Sequence, residues 1–194
     1  MEIERAVRAI REGELVVYPT ETVYGLGADA LDPAAVERVF EAKGRDRSKP
    51  LSMAVPDVEI ADEYTELTER ERAFMREFLP GPVTVVVEAG PETPEELTAG
   101  RSRVGIRIPD HELALALLGE VSPITATSAN VSGNPSVRRA AELDPAIREA
   151  AARVLEGDSG TEETESTVVD VERGEIHRRG ALAGRIEDWL QAEQ

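Results

Sequence analysis

The 194-residue chain predicts a single α/β domain in which helices pack on a mixed sheet. Three observations point there. The length suits one large domain, at most with a small appendage. Amphipathic helical stretches interleave with short β-branched runs, without a strict strand–helix–strand rhythm. Several of the strands fall in hairpin-like pairs, so parallel and antiparallel neighbours must coexist. No internal repeat, low-complexity tract or domain-dividing linker interrupts residues 1–194. Hydrophobic residues make up 41% of the chain but aromatics only 4%, so Val, Leu, Ile and Ala must fill the core.

Ile3, Val7 and Ile10 recur at helical spacing and predict a helix over 3–12, stopped near Gly13. Residues 15–18 read as a strand that Pro19 ends. A polar, Gly-punctuated turn follows, with Thr20, Glu21, Thr22, Tyr24, Gly25 and Gly27. Asp32-Pro33 opens a helix, with Asp as cap and Pro at the first position. Val36, Val39 and Phe40 give it an apolar face, and Lys43 emerges at its end. A strand is expected over 51–55 and a short helix over 57–64. Thr68-Glu69-Arg70-Glu71 is a capping box that starts a helix carrying Phe74, Met75, Phe78 and Leu79. Pro80-Gly81-Pro82 breaks the chain before a strand over 83–88, and 90–102 reads as loop. The alternation over 104–108 sends Arg107 to the face opposite Ile106 and Ile108. A Leu-rich helix from Asp110 leads to a buried strand over 124–126 and a long polar loop over 127–136. Asp144-Pro145 begins a helix expected to reach about Leu155. Residues 157–165 read as mobile, 166–171 and 175–178 as a hairpin, and 186–191 as a closing helix anchored by Trp189.

Composition excludes several function classes. Without cysteine there is no disulfide framework, thiolate metal site or thiol nucleophile. No run approaches the roughly 18 apolar residues of a membrane span, and the charged N-terminus lacks the apolar core of a signal peptide. A cytoplasmic protein is the expectation. The net charge of −17 repels nucleic acid at long range. Nucleotide signatures G-x-x-x-x-G-K-[ST] and G-x-G-x-x-G are missing. His111 lacks a second His four residues on, and neither Ser128 nor Ser166 has the glycines of a nucleophile elbow.

Against that acidity, residues 43–49 hold four cations, including the chain's only two lysines, Lys43 and Lys49. Lysine is a mobile point charge and arginine a planar fork, and phosphates commonly use both. The segment therefore predicts a phosphorylated ligand, most simply ATP, with Mg²⁺ arriving on its phosphates. The remaining chemistry is one of positioning. Lys43, Arg45, Arg107 and Arg178 sit beside strand ends or turns, and Thr20, Thr22, Ser128, Asn130 and Ser166 offer hydroxyl and amide groups on loops.

Seven segments taken in order carry a resemblance: PTETVYGLG at 19–27, KGR with KPL within 43–51, PGPVTVVV at 80–87, GIRIP at 105–109, TSANVSGNPS at 127–136, STVVDV at 166–171 and the turn from Arg178 to Gly180. The chain resembles the YrdC-like family of L-threonylcarbamoyl-adenylate synthases. The resemblance implies a twisted mixed α/β sheet with flanking helices around a large, concave, positively charged cavity. It implies a nucleotidyltransferase that makes L-threonylcarbamoyl-AMP from L-threonine, bicarbonate or CO₂, and ATP, releasing pyrophosphate. A downstream transferase would then modify the adenosine beside the anticodon in tRNAs reading codons that begin with A.

Matched by motif, Lys43, Arg45, Ser128 and Asn130 are the catalytic positions handling ATP and the adenylate. Thr20, Thr22, Arg107 and Ser166 fall on the threonine side, with Arg107 as partner of the carboxylate. Lys49 and Arg178 join Lys43, Arg45 and Asn130 as nucleotide contacts, and no metal ligand is implied. Two departures stand out: Asp46 where many relatives have Pro, and Ala54 where many have His. Ending at Gln194, the chain resembles the short, single-domain form.

Two other readings compete. An RNA-binding module would use the concavity for tRNA or double-stranded RNA, but the charge of −17 and the lack of a stacking set permit only weak contact. A carbamoyl-handling domain of hydrogenase maturation would need zinc-finger and acylphosphatase parts for which this cysteine-free chain has no room.

Overall fold

The computed structural model describes residues 1–160 and 165–192. In chain order these form helix α1 (Glu2–Arg11), strands β1 (Leu15–Tyr18) and β2 (Gly25–Gly27), helix α2 (Pro33–Lys43), strand β3 (Ser52–Ala54), helix α3 (Val58–Tyr64), strand β4 (Thr65–Glu66), helix α4 (Glu69–Phe78) and strand β5 (Val83–Ala89). The short helix α5 (Glu95–Thr98), strand β6 (Arg103–Arg107), helix α6 (Glu112–Glu120), strand β7 (Ile124–Ala126) and helix α7 (Pro145–Ala150) follow. Strands β8 (Ala151–Val154), β9 (Thr167–Asp170) and β10 (Glu175–Arg178) precede the closing helix α8 (Ala183–Ala192).

The capping signals act as the sequence predicts. Asp32, Asp57 and Asp144 each accept a backbone N–H at the start of a helix, and Thr68 and Glu71 close the reciprocal capping box of α4. These bonds satisfy amides that the first turn leaves without partners.

Two sheets result. The larger runs β10-β9-β5-β6-β3-β7, with β4 paired to β5, and the smaller runs β2-β1-β8. Pairs β5–β9, β3–β6 and β1–β8 are parallel and the others antiparallel, so the expected mixed sheet is present. Bridges Gly25–Ser128 and Asp29–Ile124 tie β2 to the region of β7. Among the described residues no helix is long and apolar enough to cross a membrane.

Three boundaries differ from the sequence expectation. Residues 151–154 form strand β8 and not the end of a helix. Strand β1 is buried at all four positions and needs a ladder on both edges; β2 supplies one and β8 the other. Tertiary pairing thus overrides the helix propensity of the Ala-rich run. The polar turn after Pro19 contains strand β2, where a side chain at Gly25 would lie 2.8 Å from the Tyr18 ring. The loop over 90–102 contains the single turn α5. Part of the expected mobile segment, 161–164, lies outside the described residues.

One apolar cluster buries α2, α4 and the centre of the large sheet, and a second packs α1 and α6 against Val16, Tyr18 and Ile124. Trp189 sits edge-on to Phe74, centroids 5.0 Å apart, while Phe74 stacks on Phe78. It joins α8 to α4 in the manner expected of a core anchor.

Candidate active site

A cavity of about 740 Å³ opens on the large sheet, a volume in the range of small-molecule sites. Its floor follows the period of two in strands. Arg103, Gly105 and Arg107 come from β6, Thr84 and Val86 from β5, and Val168 and Asp170 from β9, with Ser166 just before it. From Arg103 to Arg107 the floor runs about 13 Å along the strand. Gly105 keeps its centre open, since a Cβ there would stand 2.4 Å from Ser52 Oγ. The walls bring in Tyr18, Thr20 and Thr22, then Arg45, Ser128 and Arg178.

At one end a directed hydrogen-bond chain holds Arg107. Thr20 Oγ1 donates to the Val23 carbonyl at 2.7 Å, so the hydrogen shared with Thr22 Oγ1, 3.1 Å away, comes from Thr22. Arg107 Nη2 then donates to Thr22 Oγ1 at 3.0 Å and to Glu21 Oε1 at 2.9 Å. The loop is pinned from outside by residues 157–160. Tyr24 Oη donates to the Gly157 carbonyl at 2.6 Å, and Gly160 N donates to the Thr20 carbonyl at 3.1 Å.

Arg45 and Arg178 approach from separate walls. Arg45 anchors its Nε on the Lys49 carbonyl at 3.1 Å and one Nη on the Pro50 carbonyl at 3.0 Å. Among the described residues it makes no ion pair. Burial first, and then the Arg178 charge, hold its guanidinium below the ordinary arginine value. Arg178 binds Ser166 through both Oγ (2.8 Å) and the carbonyl (3.0 Å), and pairs with Glu165 at 3.1 Å. Two repelling guanidinium groups, Arg45 held by carbonyls alone and Arg178 by Ser166 and Glu165, form a site suited to an anion.

At the other end of the floor Arg103 is held by carboxylates. Arg103 meets Asp170 at 3.1 Å, Glu71 at 3.4 Å and Glu88 at 3.8 Å. Burial pushes the Glu71 carboxyl above its ordinary value.

Of the sequence-derived candidates, Thr20, Thr22, Arg45, Arg107, Ser128, Ser166 and Arg178 line this one cavity. Lys43, Asn130 and Lys49 do not. Lys43 is 1% exposed, and its Nζ donates to the carbonyls of Ser128 and Asn130, the latter at 2.7 Å. Ser132 N donates back to the Lys43 carbonyl at 2.7 Å. Lys43 thus clamps the loop that carries Ser128 from behind. Burial, followed by the charge of Arg45, pushes its amine down to about 8. Asn130 spends its amide on the carbonyls of Val131 (3.0 Å) and Asn134 (2.8 Å). Lys49 is exposed and enters through its backbone, as the acceptor for Arg45. Ala54 is buried in β3 beside Arg107 and Ile124, and Asp46 turns its carboxylate onto Ser48 N at 2.9 Å.

Sequence reasoning missed Glu21, Tyr18, Arg103 and Asp170. Extended by one strand period, the alternation would have put Arg103 on the face of Arg107, and Asp170 on that of Ser166 and Val168. No local signal marked Glu21 or Tyr18, whose roles depend on contacts with distant strands.

The family model that matches residues 8–180 is that of Sua5, YciO and YrdC, described as telomere recombination. The chain belongs to the Sua5/YciO/YrdC family. A threonylcarbamoyl-AMP synthase of Pyrococcus abyssi is 41% identical over 172 residues, 87% of this chain and 50% of that protein. One from Thiobacillus denitrificans is 38% identical over 177 residues, 87% of this chain and 90% of that protein. The crystal structure of Pyrococcus abyssi Sua5 complexed with L-threonine superposes with a TM-score of 0.83 at 39% identity, covering 92% of this chain and 54% of that one. The chain spans about half the length of the Pyrococcus relatives it matches.

Proposed function

We propose that this chain is an L-threonylcarbamoyl-AMP synthase, joining L-threonine, bicarbonate or CO₂, and ATP with release of pyrophosphate. The observation that carries the reading is the division of one cavity into two subsites. One, at Arg107, suits a small carboxylate. The other, between Arg45 and Arg178, suits a polyphosphate. Relatives named for this activity, and a Sua5 structure complexed with L-threonine, support it.

In this reading the carboxylate of threonine sits on Arg107, and its neutral amine attacks the carbon of CO₂, releasing a proton to water, or of bicarbonate, from which a C–O bond breaks and water leaves. An oxygen of the resulting carbamate then attacks the α-phosphorus, the bond to the β-phosphate oxygen breaks, and pyrophosphate departs. The chain contributes no nucleophile. It holds two reactants in line and sets fixed guanidinium groups where charge accumulates on the leaving pyrophosphate. Ser128 and Ser166 orient the adenylate and threonine sides. Lys43 shapes the Ser128 wall. Among the described residues no three His, Asp or Glu side chains gather as a metal cage. Mg²⁺ would arrive on the triphosphate and supply charge neutralisation there.

A downstream transferase would carry the threonylcarbamoyl group to tRNA in the cytoplasm. The double-stranded RNA alternative draws less support, because the net charge of −17 repels nucleic acid at long range. The test is product identity. With ¹³C-bicarbonate, mass spectrometry should show a threonine- and ATP-dependent adenylate one mass unit heavier than with unlabelled bicarbonate. An adenylate whose mass ignores the label would contradict the proposal.

A further inference from the structure

Both lysines of the chain lie in residues 43–49, and the fold gives them opposite surroundings. Lys43 is 1% exposed and spends its Nζ on the carbonyls of Ser128 and Asn130, behind the cavity wall. Lys49 is exposed, and its ammonium makes no hydrogen bond or ion pair among the described residues. It stands at the edge of the cavity. The next residue, Pro50, lines that cavity, and the Lys49 carbonyl accepts from Nε of Arg45, which lines it too. A flexible four-carbon stem lets the Lys49 amine range along this edge. The chain's other fixed cations are arginines, which stay protonated and do not act as nucleophiles. One mobile, accessible lysine amine therefore borders the polyphosphate subsite.

We propose that Lys49 is a covalent modification site, acylated by the carbamoyl-adenylate that leaves this cavity. The proposal rests on the cavity making that product. The adenylate is a mixed anhydride of a carbamic acid and AMP, and its carbamoyl carbon is an electrophile towards amines. The neutral ε-amine of Lys49 attacks that carbon and a nitrogen–carbon bond forms. The bond from the carbon to the phosphate oxygen breaks, AMP leaves with the electron pair, and the proton of the amine passes to water. The result is a urea that joins Lys49 to the nitrogen of threonine. It carries the threonine carboxylate, so the loop that holds Arg45 exchanges a cation for an anion. Lys43 escapes the reaction because its amine is buried and bound to carbonyls.

The test incubates the purified chain with ATP, L-threonine and ¹³C-bicarbonate, and follows its peptides and the free adenylate by mass spectrometry. The comparison is Arg8→Lys, which puts a second exposed amine on α1, away from the residues that line the cavity. The amines at positions 8 and 49 then share their chemistry and differ in place. Lys49 should carry the threonylcarbamoyl group, one mass unit heavier with the labelled carbon, at more than about tenfold the level of position 8. Lys43 should carry none. Comparable labelling at positions 8 and 49 overturns the proposal, because the adenylate would then react only from solution. Label on Lys43, or free adenylate accumulating while Lys49 stays unmodified, overturns it as well. If no adenylate forms, the reading of the cavity fails and this proposal with it. That result is separable from the others, since the free adenylate is measured in the same sample.

Discussion

Lys43→Met should unfold about 2–4 kcal/mol more easily than the unsubstituted chain, because it leaves two carbonyls of the Ser128–Asn130 loop without their charged donor. Adenylate synthesis should fall by more than about tenfold as that wall of the cavity loosens, a loss worth roughly 1.4 kcal/mol or more in the barrier. Urea titration followed by turnover measurement reads both. The stability gap should also depend on pH. An unfolded lysine keeps its proton to about 10.4, whereas Lys43 in the folded chain is pushed down to about 8. Between those values the unfolded state binds more protons, so stability of the unsubstituted chain rises with pH through that window. The Met variant lacks this rise, and the gap widens by at most about 1.4 kcal/mol per pH unit. A variant of full stability that had lost only ATP binding would show that Lys43 touches the nucleotide directly.

Arg107→Lys should raise the KM for L-threonine by about 10–100-fold while leaving ATP affinity unchanged. Lysine keeps a positive charge beside the buried Glu21 carboxylate, so the loop does not acquire an uncompensated buried charge. It loses the planar fork that can hold Glu21 and Thr22 on one nitrogen and present the others to a carboxylate. Initial-rate kinetics with each substrate varied separately distinguishes the two subsites. Equal increases in the KM for ATP and threonine would contradict the assignment of Arg107 to the amino acid end.

Most of the frame was legible because its signals are local. Asp32-Pro33, Thr68 with Glu71, and Asp144-Pro145 start helices where bonds within four residues suffice. The alternation around Arg107 likewise needed only the strand itself. What stayed hidden depends on partners far away in sequence. Residues 151–154 become strand because β1 has an unpaired edge some 136 residues earlier, at Leu15↔Ala151 in the register. Lys43 reads as a phosphate ligand beside Arg45, yet the fold presents it with carbonyls 85 and 87 residues downstream. Arg45, two residues on, escapes that fate because it lies beyond the helix end and its own loop carbonyls hold it at the cavity. Glu21 gained meaning only once β6 placed Arg107 against it. Charge type was readable along the chain; the face on which each charge acts was fixed by sheet order.

Pyrophosphate release from ATP by the purified chain, with L-threonine and bicarbonate each present or withheld, tests the central claim most directly. Release is expected only when both are supplied, and is lost on removal of either. Release that ignores threonine and bicarbonate, or none with all three present and ATP bound, would contradict it.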